Sequence, residues 1–265
     1  MSNWVLALKT LELKVADYMS PKPFIVKDDF NFVDAIEIMA DEGIGNLVVN
    51  KRHKPIGILT ERQILEHLSK YKKILPIRLD EIKLCPFVVV GLDTRVIDAA
   101  QLMIKKKTRL LVFDGKKLVG IITATDMVRA FRRTGANPDL TKVLSTRLYA
   151  VNYNDTILTA SKLMHKKRIG SVIVLKNKNP YGIFTERDLL VNVLSNEVET
   201  HNSVGGYCTV PLVTSGLGIK GGDASKVMSK NKIKRLVLTK DKKIHAIVTA
   251  RDIVEAFTMS FSNED

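Results

Sequence analysis

Apolar and polar residues alternate in a block that recurs four times along the chain. Each block opens with a short apolar strand and a polar turn. An amphipathic helix follows, in which an alanine and a methionine four residues apart share one face. A second apolar strand, a polar hairpin turn and a third apolar strand come next, and the third strand runs without a loop into a closing helix. The pattern predicts four units with the order strand, helix, strand, strand, helix, repeating about every 63 residues.

The junction between the third strand and the closing helix is the best-defined feature of each unit. In the third copy it reads Gly-Ile-Phe-Thr-Glu-Arg-Asp at 182–188, and related sequences occupy 57–63, 120–126 and 246–252. The junction threonine ends the strand, and its hydroxyl can cap the first turn of the helix. Three residues later comes glutamine in the first copy (Gln63) and aspartate in the other three (Asp126, Asp188, Asp252).

The repeats divide the chain into five segments. We predict a leader helix at 1–12 and repeats at 13–73, 78–135, 140–198 and 205–262. The strands are almost wholly apolar, which favours an α+β fold with helices covering one face of each sheet. One unit buries too little surface to be stable alone, so the units should pair. The stretch Arg132–Asp139 has linker composition and lies at the midpoint. We place the main boundary there, between two modules of two repeats.

Composition agrees with a folded cytoplasmic protein. Of the 265 residues, 45% are hydrophobic and 26% are charged, which is typical of a globular chain. No apolar run is long enough to span a bilayer, and the first 15 residues lack the basic start and cleavage site of a secretory signal, so we expect no membrane partner. The two cysteines, Cys85 and Cys208, have no metal-ligand spacing and are interpreted as buried apolar residues.

The formal net charge of +14 favours anionic partners, namely nucleotide phosphates, nucleic acid or an acidic protein surface. Basic runs at 105–107, 166–168 and 230–235 each fall at the end of a predicted helix, where they also complement the helix dipole. No helix-turn-helix, zinc module or aromatic-basic run is present. A nucleic-acid partner therefore stays open but has no motif to support it.

These four junctions, in register, give the chain a specific resemblance to the CBS-domain family, which covers the sequence after about residue 13. The resemblance implies four β-α-β-β-α CBS repeats, paired through their sheets into two Bateman modules that form a flat disc. It also implies that adenosine compounds, namely AMP, ADP, ATP or S-adenosylmethionine, bind in clefts between paired repeats. The expected architecture is similar to that of the γ subunit of AMP-activated protein kinase.

The chemistry of the junction fits such a ligand. A strand that feeds directly into a helix exposes unpaired backbone N–H groups beside the positive end of the helix dipole, which favours an anion. In the third repeat, Thr185 adds a hydroxyl donor and Arg187 can make a charge-assisted bond to a phosphate. Asp188 offers two acceptor oxygens to the paired hydroxyls of a ribose. The alternative interpretation is a capping box without any ligand, although such boxes prefer glutamate or glutamine to aspartate.

The four junctions are not equivalent. We expect the first site to be empty or altered, because Gln63 is a neutral and weaker partner for two hydroxyls. The third junction is the most complete. The candidate residues in the other two are Thr123 and Asp126, with Arg109 expected to compensate for Thr125 in the arginine position, and Thr249, Arg251 and Asp252, with Ala246 in place of the leading glycine.

The resemblance also assigns phosphate and adenine contacts. Lys234 and Arg235 match the family's basic phosphate-facing position, with a solvated helix end as the alternative. Gly45 and Gly170 stand at the matching position in repeats one and three and supply space. The first strands would line the adenine cleft, although core packing explains these residues equally well; they are Pro23, Phe24, Ile25, Phe87, Val88, Leu148, Tyr149, Pro211 and Leu212.

One further motif is interpreted as a decoy. The run 216–221 satisfies G-x-G-x-x-G, but the repeat register makes it the strand-to-helix loop of the fourth unit rather than part of a Rossmann fold. No Ser-His-Asp set, metal cluster or Walker loop is visible, so we expect no catalysis and no metal.

The sequence therefore predicts a regulatory protein that senses AMP, ADP or ATP, requires no other cofactor and acts on a protein partner that is not identified. The alternatives are a nucleic-acid-associated regulator, a sensor of S-adenosylmethionine and a subunit used only for assembly. A homodimer formed through the modules also stays open.

Overall fold

The computed structural model describes residues 12–262, and each repeat in it has the predicted order of elements. The leader helix predicted at 1–12 lies outside the described residues, apart from Glu12. A two-residue strand, β1 (Ser20–Pro21), comes first. The first repeat then contains β2 (Ile25–Lys27), α1 (Phe32–Asp41), β3 (Asn46–Lys51), β4 (Lys54–Thr60) and α2 (Glu61–Tyr71).

The other three repeats follow the same plan. The second contains β5 (Phe87–Gly91), α3 (Val96–Lys106), β6 (Arg109–Asp114), β7 (Lys117–Ile122) and α4 (Ala124–Arg132). The third contains β8 (Ala150–Asn152), α5 (Ile157–Lys167), β9 (Ser171–Lys176), β10 (Asn179–Thr185) and α6 (Glu186–Asp188). The fourth contains β11 (Thr214–Gly216), α7 (Gly221–Lys230), β12 (Arg235–Lys240), β13 (Lys243–Thr249) and α8 (Ala250–Ser262).

Each repeat builds one small mixed sheet. The first strand pairs in parallel with the second, and the second pairs antiparallel with the third through a hairpin. The intervening helix supplies the crossover that a parallel pair requires. In the second repeat, β1 adds a fourth strand beside β7. This order carries the end of every third strand directly into the start of a closing helix, and it confirms the predicted α+β class.

The described chain divides into two compact units, and each unit contains alternate repeats. Unit 1 comprises residues 12–23, 87–147 and 213–262, and therefore holds repeats two and four. Unit 2 comprises Phe24–Pro86 and Leu148–Leu212, and holds repeats one and three. The boundary expected at Arg132–Asp139 does not separate the units, because this segment lies inside unit 1. The reason is that the closing helices of alternate repeats share a core.

In unit 1 that core is continuous. Residues of repeats two and four form one buried cluster. Near its centre, Phe131 of α4 stacks on Phe257 of α8, with ring centroids 4.9 Å apart and an interplanar angle of 13°. Phe261 lies beyond them, 6.3 Å from Phe131. The long apolar face of α8 thus covers the helices of the second repeat.

Unit 2 has two hydrophobic clusters, and each repeat contributes side chains to the cluster of the other repeat. Leu65 and Leu68 of α2 pack into the cluster of repeat three, and Leu190 packs into the cluster of repeat one. After α6 the helix widens into a π-helix, Leu189–Val193, and then tightens into a 3₁₀ turn, Leu194–Asn196. Beside this irregular segment lies an open cavity of about 450 Å³, lined by apolar residues such as Leu68 and Leu194 and by charged residues such as Glu37 and Lys72.

The central linker is bonded to the fourth repeat. Asn137 Oδ1 accepts from Gly222 N at 2.7 Å, and Asn137 Nδ2 donates to Asp223 Oδ2 at 2.8 Å. A Cβ on Gly222 would lie 2.9 Å from the Ala136 carbonyl oxygen, so a glycine is needed for this close approach. The G-x-G-x-x-G run lies in the β11–α7 loop as predicted. The first turn of the helix that follows is capped by the linker.

Candidate functional site

All four junctions are built in the same way, with a strand-ending threonine that caps the closing helix. In repeats two, three and four the aspartate completes the box, because one of its oxygens, Oδ2, accepts from both the backbone N and the hydroxyl of the threonine. The N–O and O–O distances are 2.9 and 2.8 Å for Thr123 and Asp126, 2.8 and 2.6 Å for Thr185 and Asp188, and 2.7 and 2.8 Å for Thr249 and Asp252. Capping therefore engages one oxygen of each carboxylate.

The first junction keeps the cap without the carboxylate. Thr60 Oγ1 donates to Gln63 Oε1 at 2.5 Å and accepts from Arg62 N at 3.2 Å. Gln63 thus accepts the bond from the threonine hydroxyl that an aspartate accepts in the other repeats, and an amide oxygen replaces the ionised pair of oxygens. An empty or altered first site stays a prediction.

The second carboxylate oxygen, Oδ1, distinguishes the three aspartates. At Asp188 it accepts from Thr209 Oγ1 at 2.6 Å and from Asn192 Nδ2 at 3.2 Å, so four protein donors hold this carboxylate. At Asp126 it meets only Arg129 Nη2, at 3.3 Å, among the described residues. Asp252 accepts from Thr249 alone in the described part of the chain. Asp126 and Asp252 therefore keep more acceptor capacity for a ligand than Asp188 does.

Burial also affects the aspartates of unit 1. Desolvation raises the pKa of the Asp126 carboxyl, while its bonds from Thr123 and the charges of Arg129 and Lys234 oppose that shift. Desolvation likewise raises the pKa of Asp252, against the bonds from Thr249. Donors that reach these carboxylates from a ligand would stabilise the charged form that burial disfavours.

Basic side chains near the repeat four junction interact with groups of repeat two within unit 1. Lys234 of repeat four lies close enough to lower the pKa of Asp126 in repeat two. In the opposite direction, Arg251 Nη2 donates to the Met103 carbonyl oxygen at 3.2 Å. Arg109 and Arg235 begin β6 and β12, and Arg235 stands opposite Thr249 in the strand pair. The candidate phosphate contacts of repeats two and four thus share one unit.

In unit 2 the junction arginines have acidic partners instead. Arg62 Nε lies 2.9 Å from Glu186 Oε1, and Arg187 Nη1 lies 3.5 Å from Glu61 Oε1. The arrangement is reciprocal, since each arginine pairs with the glutamate of the other repeat. We call these four residues the glutamate–arginine clasp. The glutamate side chains are 11% and 9% exposed and the arginines about a third exposed, so the carboxylates form the inner part of the clasp.

Backbone acceptors complete the clasp. Arg187 Nη1 donates to the Ile44 carbonyl oxygen at 3.0 Å, and Arg62 Nη1 donates to that of Ile169 at 3.4 Å. Arg187, predicted as a phosphate contact, is therefore engaged with repeat one. A Cβ on Gly45 would lie 3.1 Å from Glu61 Oε1. The space that this glycine supplies is thus taken by a glutamate.

Sequence reasoning missed both glutamates. The available signal was that repeats one and three share Thr-Glu-Arg at the junction, whereas Ala124 and Ala250 stand in the glutamate position of repeats two and four. The pairing itself joins residues 126 positions apart, and no periodicity in the chain indicates it.

The residues predicted to line an adenine cleft lie at the surface or partly buried. Phe24 and Ile25 are 40% and 44% exposed, and Pro211 is also exposed. Phe87, Leu148 and Tyr149 are half-buried, and Lys167 Nζ lies 5.3 Å from the centroid of the Tyr149 ring. None of the nine predicted residues is fully buried. Core packing alone therefore does not account for them.

Other chemistry has little support in the described residues. No group of histidine, cysteine and acidic side chains between residues 12 and 262 could hold a metal ion. The helices described there are also too short or too polar to cross a membrane. Cys208 is buried, and desolvation raises the pKa of its thiol to about 11, so it is not a reactive thiolate. Cys85 is half-buried.

Comparison with known proteins gives a consistent family. A model of the CBS domain matches residues 15–70, 79–133, 140–195 and 204–258. The chain is 29% identical over 181 residues to protein MJ1404 of Methanocaldococcus jannaschii, covering 62% of this chain and 43% of that protein. It is 26% identical over 200 residues to a 33.4 kDa protein from a ribosomal RNA operon of Thermofilum pendens, covering 70% and 66%. The chain thus spans less than two thirds of each relative.

Solved structures show the same fold. Protein MJ1225 from Methanocaldococcus jannaschii superposes with a TM-score of 0.77 at 16% identity, over 92% of this chain and 100% of that one. A protein from Pyrococcus horikoshii superposes with a TM-score of 0.63 at 19% identity, over 92% and 99%.

Proposed function

The chain belongs to the CBS-domain family, whose model matches most of its length, and on that premise we propose that it is a non-catalytic regulatory protein that binds adenine nucleotides at its strand–helix junctions. MJ1225, which shares the fold, is described as a candidate archaeal homolog of g-AMPK. This description agrees with a regulatory role. The choice of ligand and site, however, rests on the junction chemistry of this chain.

We place the principal sites at the two junctions of unit 1. The observation that carries this choice is the state of Asp126 and Asp252, whose Oδ2 atoms are engaged by capping threonines while their Oδ1 atoms have weak or no protein donors among the described residues. Paired ribose hydroxyls are donors that fit such an acceptor. The third junction, where four protein donors already surround Asp188, is a weaker candidate than its sequence indicates.

Phosphate recognition would come from the basic residues of the same unit. Arg109, Lys234, Arg235 and Arg251 stand at the junctions of repeats two and four, where Ala124 and Ala250 take the places of the unit 2 glutamates Glu61 and Glu186. Bonds between guanidinium groups and phosphate are charge-assisted and stronger than neutral ones. The half-buried first-strand residues, among them Phe87, are suited to pack against an adenine ring.

Binding would act as a switch through charge. Lys234 of repeat four lies near Asp126 of repeat two within unit 1, and a phosphate bound beside them would neutralise basic charge between the two repeats. A ligand shifts a conformational equilibrium by its difference in affinity for the two states. A protein partner of unknown identity would read the shift, and the partner's nature is not implied by the site.

Isothermal titration of AMP, ADP, ATP and S-adenosylmethionine tests the proposal. Asp126→Asn and Asp252→Asn keep the shape of the side chain and remove its charge. Because hydrogen bonds to a charged group contribute about 1.5–3 kcal/mol, each variant should bind at least tenfold more weakly at its own junction. Asp188→Asn is the matched control and should change affinity less. Unchanged nucleotide affinity in the Asp126→Asn/Asp252→Asn double variant would refute the assignment, and the absence of binding to any of the four ligands would refute the function.

A further inference from the structure

We propose that the glutamate–arginine clasp of unit 2 masks a further site for a nucleotide phosphate. In this site the Glu61 carboxylate pairs with the arginine that a phosphate would otherwise bind. The inference takes the identity of the ligand from the proposed function. It adds that a junction whose arginine is paired with a glutamate does not bind phosphate. The masked site is the third junction, where Arg187 precedes Asp188.

The geometry of the clasp supports a masking role. A carboxylate and a phosphate present similar oxygens to a guanidinium, and both form charge-assisted bonds with it. Glu61 Oε1 lies 3.5 Å from Arg187 Nη1, a long contact that a closer anion could replace. Arg187 is about a third exposed, so its guanidinium can be reached from solvent, whereas the glutamate behind it is nearly buried.

Unit 1 has different residues at the positions of the clasp glutamates. Arg251 occupies the place of Arg187, directly before the junction aspartate, and Ala124 and Ala250 occupy the places of the two glutamates. Side chains larger than hydrogen stand where unit 2 has its glycines, namely Thr108 and Lys234. Each glutamate in unit 2 is thus accompanied by the loss of a side chain, and in unit 1 the lysine adds a positive charge.

The two ion pairs of the clasp have the same form, but the residue that follows each arginine differs. Glu61 holds Arg187, whose neighbour is Asp188, a carboxylate that a ribose would reach by displacing Thr209 or Asn192 from its Oδ1 atom. Glu186 holds Arg62, whose neighbour is Gln63. Removing the Glu61 carboxylate should therefore free a phosphate contact beside a ribose contact. Removing the Glu186 carboxylate should free a phosphate contact without one, so the two variants form a matched pair.

The test uses the full chain with the unit 1 sites disabled by Asp126→Asn and Asp252→Asn. In that background, Glu61→Gln and Glu186→Gln are compared by isothermal titration with AMP, ADP and ATP. We expect Glu61→Gln to bind at least one of these nucleotides tenfold or more tightly than its parent, and Glu186→Gln to stay within threefold of the parent. Adding Arg187→Ala or Asp188→Asn to Glu61→Gln should remove the gain.

Circular dichroism and thermal unfolding of each variant establish that unit 2 is folded. If Glu61→Gln does not fold, Glu61→Asp, which retracts the carboxylate by one methylene group, must show a gain in the same direction with a smaller size. No gain in a folded Glu61 variant overturns the inference, and so does an equal gain in Glu186→Gln. The proposed function fails separately, if the chain with intact Asp126 and Asp252 binds no nucleotide while Glu61→Gln does.

Discussion

Units 1 and 2 each contain two repeats of one plan with threonine-capped closing helices, yet they differ in charge at equivalent positions. In unit 1 the residue after the junction threonine is alanine, and the two junction aspartates accept few hydrogen bonds from the described residues. In unit 2 that residue is glutamate, and each junction arginine is paired with it. The threonine and aspartate of the motif therefore cap the N-terminus of the closing helix in both units. The residues next to them, alanine in unit 1 and glutamate in unit 2, set the charge beside that helix start.

The hydrophobic cores of the two units also differ in the side chains that join their repeats. Unit 1 fills the space between its closing helices with stacked phenylalanines, and α8 runs unbroken for 13 residues. Unit 2 has Leu68 at the place of Phe131, an irregular helix after Asp188, and a cavity of about 450 Å³. Unit 1 therefore joins its closing helices through stacked aromatic rings, whereas unit 2 joins its repeats through leucines.

The largest effect should come from truncating the equivalent core residues. Phe131→Ala should lower the free energy of unfolding by about 4 kcal/mol, because it removes a stacked ring from a filled core. Leu68→Ala should lower it by about 2 kcal/mol, since fewer atoms are lost and the side chain already lines a cavity. Urea denaturation followed by circular dichroism measures both. Equal losses would contradict the contrast in packing.

A smaller effect is expected where the clasp meets its glycine. Gly45→Ala places a Cβ 3.1 Å from Glu61 Oε1, which forces the carboxylate to shift and weakens its pair with Arg187. We expect a loss of about 1 kcal/mol that disappears in a Glu61→Ala background, as neighbours in contact do not behave additively. Thermal unfolding of the four proteins in this cycle measures the coupling. Additive losses would show that the glycine serves something other than the glutamate.

The smallest effect is a difference in the response to pH. Desolvation lowers the pKa of His67 in unit 2, and its Nε2 accepts from Leu75 N at 3.3 Å. The unfolded chain binds this proton more readily, so the stability that His67 contributes is present above pH 6.5 and is lost as pH falls from there through its lower folded pKa. His67→Gln keeps an acceptor and should remove this loss.

Unit 1 should show the opposite slope. Desolvation raises the folded pKa of Asp126 and Asp252 above 3.8, so the folded state binds these protons more tightly. Their contribution to stability is therefore present below pH 3.8 and falls as pH rises through the raised pKa. Asp126→Asn should remove part of that fall. Thermal unfolding between pH 3 and 8 separates the two windows, and coincident slopes in all variants would contradict the assignment.

Much of the fold could be predicted because it depends on the spacing of residues that lie close together in the sequence. The spacing of alanine, methionine and the junction threonines gave four repeats with the correct order of elements, and the register identified the 216–221 glycines as a loop. The grouping of repeats could not be predicted in this way. An apolar helix face shows that α4 must be covered, but nothing in its sequence shows that Phe257 of the fourth repeat covers it.

The same limit applies to the site. Thr185 and Asp188 could be predicted as a cap because their bond spans three residues. The partner of Arg187 lies 126 residues away and could not. Completeness of the local motif therefore made the third junction look the most suited to a ligand, while the residues that hold its arginine and aspartate, Glu61 and Thr209, come from other parts of unit 2.

The reciprocal clasp has one more consequence, for how such a chain is organised. Each glutamate meets the other repeat's arginine, which is the contact pattern of a two-fold symmetric dimer interface. Each half of the chain supplies one repeat to each unit. Unit 2 thus has the contact pattern of a dimer of two repeats, although both repeats belong to one chain. Because both repeats belong to one chain, equivalent positions can hold different residues, as Gln63 and Asp188 do, whereas the subunits of a homodimer have identical residues.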